Sequence, residues 1–107
     1  MAFTSDLKVE DSVAFITLTG ELDASVAGQF KSIVEQAASA GPSKLVVYMD
    51  KLEFMASAGL RVLIFAKQKM GVGVSIYLIG CQELVKGTLE MSGFHQSVYM
   101  QDNYAEA

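Results

Sequence analysis

Apolar positions along the chain follow two rhythms, one of period two and one near 3.6. Phe3 to Val9 and Val13 to Thr19 are β-rich runs joined by Glu10-Asp11-Ser12. That connector is polar and of hairpin length, so the chain is expected to open with a β-hairpin. The pattern breaks at Gly20-Glu21-Leu22-Asp23 and resumes with Val26, Phe30, Ile33, Val34 and Ala37. These spacings place one apolar stripe on a helix, with Asp23 as its expected N-cap. Gly41-Pro42 then stops the helix, because proline cannot continue it and disfavours helical geometry in the residue before it.

Leu45-Val46-Val47-Tyr48-Met49 is almost wholly apolar, as in a central strand buried on both faces. After Asp50-Lys51-Leu52-Glu53-Phe54, the small residues Met55-Ala56-Ser57-Ala58-Gly59 lead into a second helix that starts near Ser57. Its end is marked by Lys67 and Lys69, which suit the negative end of the helix dipole, and by Gly71. Val74 to Ile79 reads as another buried strand broken by Gly80. Glu83 to Glu90 reads as a short third helix ending near Ser92-Gly93. Gln96 to Met100 is expected as a short last strand, with Gln101 to Ala107 a tail, helical or frayed. The order β-β-α-β-α-β-α-β predicts an α/β domain with a mixed, mostly parallel sheet, the hairpin supplying the antiparallel pair. Local pattern does not specify the order of the strands.

Composition narrows the function. At 107 residues a real core is possible without metal or disulfide staples. A lone Cys81 cannot form an intramolecular bridge, which favours a reducing compartment such as the cytoplasm. Eight Lys plus Arg against twelve Asp plus Glu leave a net charge of −4, the wrong balance for a nucleic-acid backbone reader. Met1 to Asp6 lacks the charged-then-apolar order of a secretory signal. No apolar run approaches the ~18 residues of a membrane span. A cytoplasmic protein with neither nucleic acid nor membrane as direct partner is therefore expected.

Two strand-to-helix junctions stand out, because functional loops of an α/β sheet lie there: Gly20 to Asp23, and Phe54 to Leu60. Ser57 has two readings. As an N-cap it contributes about 1 kcal/mol to helix stability. As a phosphoserine it would add a charge of roughly −1.5 to −2 that a helix N-terminus tolerates. Small Ala56, Ala58 and Gly59 would let a partner's active site close on the hydroxyl, and Met55 is placed to sit at an interface. Catalytic readings are weaker. Only the Ser-x-Gly half of a nucleophile elbow is present, and His95 is the sole imidazole. There is no phosphate-binding Gly-x-x-x-x-Gly-Lys loop or dinucleotide fingerprint, and Cys81 with one histidine cannot make a zinc site. No catalytic residue, cofactor or metal is expected.

Thr19-Gly20-Glu21-Leu22-Asp23, Phe54-Met55-Ala56-Ser57-Ala58-Gly59-Leu60 and Glu90-Met91-Ser92-Gly93-Phe94 together resemble the single-domain bacterial anti-sigma-factor antagonists of the STAS family. The likeness runs from about Leu7 to Met100 within a single domain spanning 1–107, leaving 101–107 as the tail. It implies helices packed mainly on one face of the sheet and a role in partner switching. In that scheme the unphosphorylated antagonist binds a serine-kinase anti-sigma factor and frees a sigma factor. The kinase then phosphorylates the antagonist, and a PP2C-type phosphatase reverses the modification. The resemblance makes Ser57 the phosphoacceptor. Glu21, Asp23, Met55, Ala56, Ala58, Gly59 and Leu60 become partner-binding residues. The chain departs from the frequent Asp-Ser-Ser-Gly form, having Ala56-Ser57-Ala58-Gly59, so an acidic group before the acceptor is missing. Two alternatives stay open: a non-catalytic scaffold or regulator of another signalling output, and a small-ligand or nucleotide-binding relative.

Overall fold

In the computed structural model, which describes residues 2–104, the hairpin forms from β1 (Thr4–Glu10) and β2 (Val13–Leu22). Asp11 and Ser12 are the two turn residues and both have positive φ, 49° and 67°. A primed two-residue turn requires this, and its twist matches that of the strands it joins. The remaining elements are α1 (Ala27–Ser39), β3 (Lys44–Met55), α2 (Ser57–Met70), β4 (Ser75–Ile79), α3 (Glu83–Ser92), a 3₁₀ turn (Phe94–Gln96) and β5 (Tyr99–Gln101). The five strands lie in sequence order, β1-β2-β3-β4-β5, with β1 antiparallel to β2 and every other pair parallel.

That order explains the layering. Each parallel connection steps in the same direction across the sheet, and right-handed crossovers that never reverse place their helices on the same face. Accordingly the core joins alternate strand residues, Ala14, Ile16 and Leu18 of β2, Leu45, Val47 and Met49 of β3, and Ile76 and Leu78 of β4. These pack with Phe30, Val34 and Ala37 of α1, Leu63 and Ala66 of α2, and Val85 and Leu89 of α3. The expected face of α1 is therefore correct at Phe30, Val34 and Ala37, which are fully buried.

Among the described residues, the opposite face has no helix. Val46 is nevertheless fully buried, as expected for a central strand. Its cross-strand neighbours are Phe15 and Tyr77. Tyr104 approaches both of those rings edge-on, with centroids 5.9 and 5.5 Å away, while Phe15 stacks on Tyr48 and Tyr77 on Tyr99. Aromatic side chains thus cover the open face where other α/β folds use a second helical layer. Residue 104 is consequently packed against the sheet and is not part of a frayed tail; residues 105–107 of the expected tail lie outside the described residues.

Four boundaries differ from the expectation, each for a physical reason. The strand expected over Gln96 to Met100 is confined to Tyr99–Gln101, because Phe94–Gln96 form a 3₁₀ turn closed by the Ser97 N–H on the Phe94 carbonyl. The break expected at Gly20 is a distortion within β2, which continues to Leu22, Gly20 adopting φ of 87°. The strand expected to end at Met49 continues to Met55. Between them the pairing shifts twice, Thr17↔Tyr48 to Thr19↔Lys51 and Gly20↔Leu52 to Glu21↔Phe54, an extra residue entering β3 each time. Two bulges therefore set the core-facing residues Met49, Leu52 and Met55 three apart instead of two. Lastly, α1 begins at Ala27 with Val26 as N-cap, and Asp23 caps the preceding turn instead of the helix.

Candidate functional site

The bulged ends of β2 and β3 bring the two junctions together. Glu21 lies opposite Phe54 and Leu22 opposite Met55. The Ala56 N–H then donates to the Leu22 carbonyl at 2.9 Å. This bond holds Ala56 extended (φ −78°, ψ 169°) as the N-cap of α2, so Ser57 becomes the first helical residue. The expected capping role of Ser57 is corrected accordingly: no side chain caps this helix. Ser57 is exposed, and its hydroxyl makes no hydrogen bond among the described residues.

The residues around it divide by depth. Met55 is 1% exposed and Leu60 9%, and Gly59 is buried. A Cβ on Gly59 would stand 2.7 Å from Leu22 Cγ and Cδ2 and 2.9 Å from Met55 Cγ. Only glycine lets the first turn of α2 lie this close to the end of β2. Met55, Gly59 and Leu60 thus support the site from beneath. Ala56 and Ala58 are partly exposed beside Ser57, and Glu21 and Asp23 are exposed on the neighbouring strand end and turn.

Asp23 is held by its own turn. Its Oδ1 accepts hydrogen bonds from the Ser25 N–H (2.9 Å) and Ser25 hydroxyl (2.6 Å), and the Val26 N–H donates to the Asp23 carbonyl at 3.2 Å. The Ser25 hydroxyl above all stabilises the charged form and lowers the carboxyl pKa below its ordinary value. An ionised carboxylate is therefore held within the turn that follows β2 at neutral pH. The other side of the site is bounded by α3, where Thr88 Oγ1 donates to the Met55 carbonyl at 3.4 Å.

His95 lies on the 3₁₀ turn and makes no hydrogen bond to Ser57, and its Nδ1 is buried without a partner among the described residues. Burial pushes the Cys81 thiol up to about 11, and its Sγ lies 3.7 Å from Met49 Sδ, so the thiolate is scarce at neutral pH. No cluster of three metal-ligating side chains exists among the described residues. No helix of theirs is long and apolar enough to cross a membrane. A cavity of about 430 Å³ opens on the aromatic face, between Asp6, Lys8, Glu10, Phe15, Thr17 and Tyr48, and none of the site residues lines it.

Two exposed residues at the site lie outside the expected contact set, although Phe54 belongs to the junction that sequence reasoning singles out. Phe54, 41% exposed, stands opposite Glu21. Arg61 is exposed one turn along α2 from Ser57. Helical period would have found the second: Ser57, Arg61, Ile64 and Gln68, at i, i+4, i+7 and i+11, are all exposed on one stripe of α2.

These features define a one-sided α/β domain with an exposed serine at the start of α2, between small side chains. The chain belongs to the STAS domain family, whose model matches residues 4–107. The anti-sigma-F factor antagonist RsfB of Mycobacterium tuberculosis is 22% identical over 87 residues, spanning 81% of this chain and 71% of RsfB. Among solved structures, an anti-sigma factor antagonist from Mycobacterium paratuberculosis superposes with a TM-score of 0.88 at 19% identity, covering 95% of this chain and 87% of that one. The phosphorylated form of SpoIIAA, a Bacillus cell fate determinant, does so with a TM-score of 0.71 at 21% identity, covering 95% and 92%. At these identities the structural matches establish the shared fold.

Proposed function

We propose that this STAS domain is an anti-sigma-factor antagonist whose partner surface is switched by phosphorylation of Ser57. The carrying observation is the free hydroxyl: Ser57 is exposed, uncommitted to capping, and flanked by the small residues Ala56 and Ala58. The names of its relatives support the antagonist role. One of them has been solved in a phosphorylated form. The partner is a serine-kinase anti-sigma factor, with Glu21, Asp23, Ala56, Ser57 and Ala58 at the contact and Met55, Gly59 and Leu60 holding them in place. The γ-phosphoryl group of ATP passes to Ser57 Oγ as the serine proton is released and ADP departs. A PP2C-type phosphatase hydrolyses the ester. The chain is substrate and ligand in this cycle, not catalyst, and its compartment is the cytoplasm.

The switch follows from charge. Phosphate adds roughly −1.5 to −2 beside Glu21 and Asp23, which repels acidic groups or nucleotide phosphates of the partner and raises the cost of desolvating the contact. The fold tolerates the modification because the group sits at the positive end of α2. A small-ligand role would fall to the cavity of about 430 Å³ on the aromatic face, away from Ser57, because a strand order that never reverses makes no switch-point crevice at the strand ends. Calorimetry against the kinase tests the proposal. Ser57→Asp should weaken binding at least about tenfold, or ~1.4 kcal/mol, while Ser57→Ala retains it. Equal affinity for wild type and both variants would overturn the switch.

A further inference from the structure

We infer that Arg61 is the intramolecular receptor for a phosphate on Ser57. The inference rests on Ser57 as phosphoacceptor and concerns how this chain carries the modification. Residues four apart on a helix are surface neighbours, with Cβ atoms about 6 Å apart. Both side chains lie on the exposed stripe of α2, since Gly59, Leu60, Val62 and Leu63 occupy the buried side. Arg61 makes no ion pair among the described residues, so its guanidinium is not already committed to a carboxylate. The first turn of α2 holds no acidic residue that would compete for it.

The surroundings favour such a receptor. Asp23 stands exposed and ionised on the adjoining turn, so its charge opposes a phosphate on Ser57. Of the cations on the flanking elements, Lys31 of α1 lies over the Phe65 ring, 4.8 Å from its centroid, and Lys86 of α3 lies with Cys81, whose thiol its charge acts on. Lys51 of β3 is separated from Ser57 by the bulge at Leu52 and Phe54. Arg61 alone among these is carried by the same helix as the phosphoacceptor, one turn away. Its planar fork matches two phosphate oxygens at once, which a lysine cannot do.

The test uses full-length protein with phosphoserine installed at position 57 during translation, so it does not depend on any kinase. Titration by ³¹P NMR follows the second ionisation of the phosphate, near pH 6 in the absence of a partner. Against R61Q, the wild-type phosphate should ionise about half a pH unit lower, a difference that shrinks as salt is added. R61K should recover part of the shift. Equal melting temperatures of the unmodified proteins establish that R61Q leaves the fold intact. Coincident titrations for wild type and R61Q would overturn the role of Arg61. Absence of phospho-Ser57 from native cells would instead remove the switch and leave this titration as it is.

Discussion

The two faces that this domain shows to solvent are built on opposite plans. The open face of the sheet is covered by large rings, Phe15, Tyr48, Tyr77, Tyr99 and Tyr104, and contains a cavity of about 430 Å³. The Ser57 end is made of small side chains, Ala56, Ala58 and Gly59, laid over the paired ends of β2 and β3. A search for concavity leads to the first face and a search for chemistry to the second. On the proposed reading, the difference teaches that a reversible contact surface has close-packed backbone beneath it and little bulk above. The aromatic face does structural work, sealing Val46 where no helix covers it.

Substitutions can break this contrast. Gly59→Ala should be the most disruptive, because its methyl meets Leu22 and Met55 under 3 Å; a loss of about 1–3 kcal/mol is expected by denaturant unfolding. Gly28→Ala, an exposed helical site with no atom within 4 Å of the added carbon, should instead gain up to about 1 kcal/mol. Tyr104→Ala removes two edge-on ring contacts and should cost about 1–2 kcal/mol while leaving kinase affinity unchanged. If affinity falls as well, the two faces are coupled. Ala56→Asp supplies the missing side-chain cap of α2 and should stabilise by about 1 kcal/mol in a thermal melt.

The smallest effects are in titrations. The Cys81 thiol ionises near 11 in the folded chain against an ordinary 9.0, because burial disfavours the thiolate. Between those values the unfolded chain has lost a proton that the folded chain keeps, so stability should decline as pH rises through that window. Cys81→Ala should flatten this part of the stability profile. Asp23 has the opposite sign: its lowered pKa contributes stability above the unfolded value that is lost as pH falls through the folded one. Ser25→Ala should return the Asp23 carboxyl toward its ordinary range in an NMR titration.

Features with local signals were readable from the chain. The hairpin turn at Asp11-Ser12, the apolar stripe of α1, and the helix ends at Gly71 and Gly93 each follow from residues within a few positions, and the structure has them there. The extension of β3 was not readable, because two bulges give Met49, Leu52 and Met55 a spacing of three that matches neither a strand nor a helix. Ser57 as N-cap failed for a related reason. Capping preference favours serine over alanine, yet the bond from Ala56 to Leu22 fixes Ala56 in the capping geometry. The site residues rest on two strand-to-helix junctions and on the family resemblance, neither of which distinguishes depth. Helical period does, and it turns Gly59 and Leu60 inward while Ser57 and Arg61 face out. Strand order, set by long-range pairing, left no local trace.

The central claim is that partner binding and phosphorylation of Ser57 exclude each other. It is tested most directly by recovering the protein from its native cells and measuring, by mass spectrometry, both the co-purifying proteins and the occupancy of phospho-Ser57 in bound and free fractions. The expected result is a serine-kinase anti-sigma factor in the bound fraction, with phospho-Ser57 confined to the free one. Equal phospho-Ser57 in the two fractions, or a bound fraction without such a kinase, would contradict it.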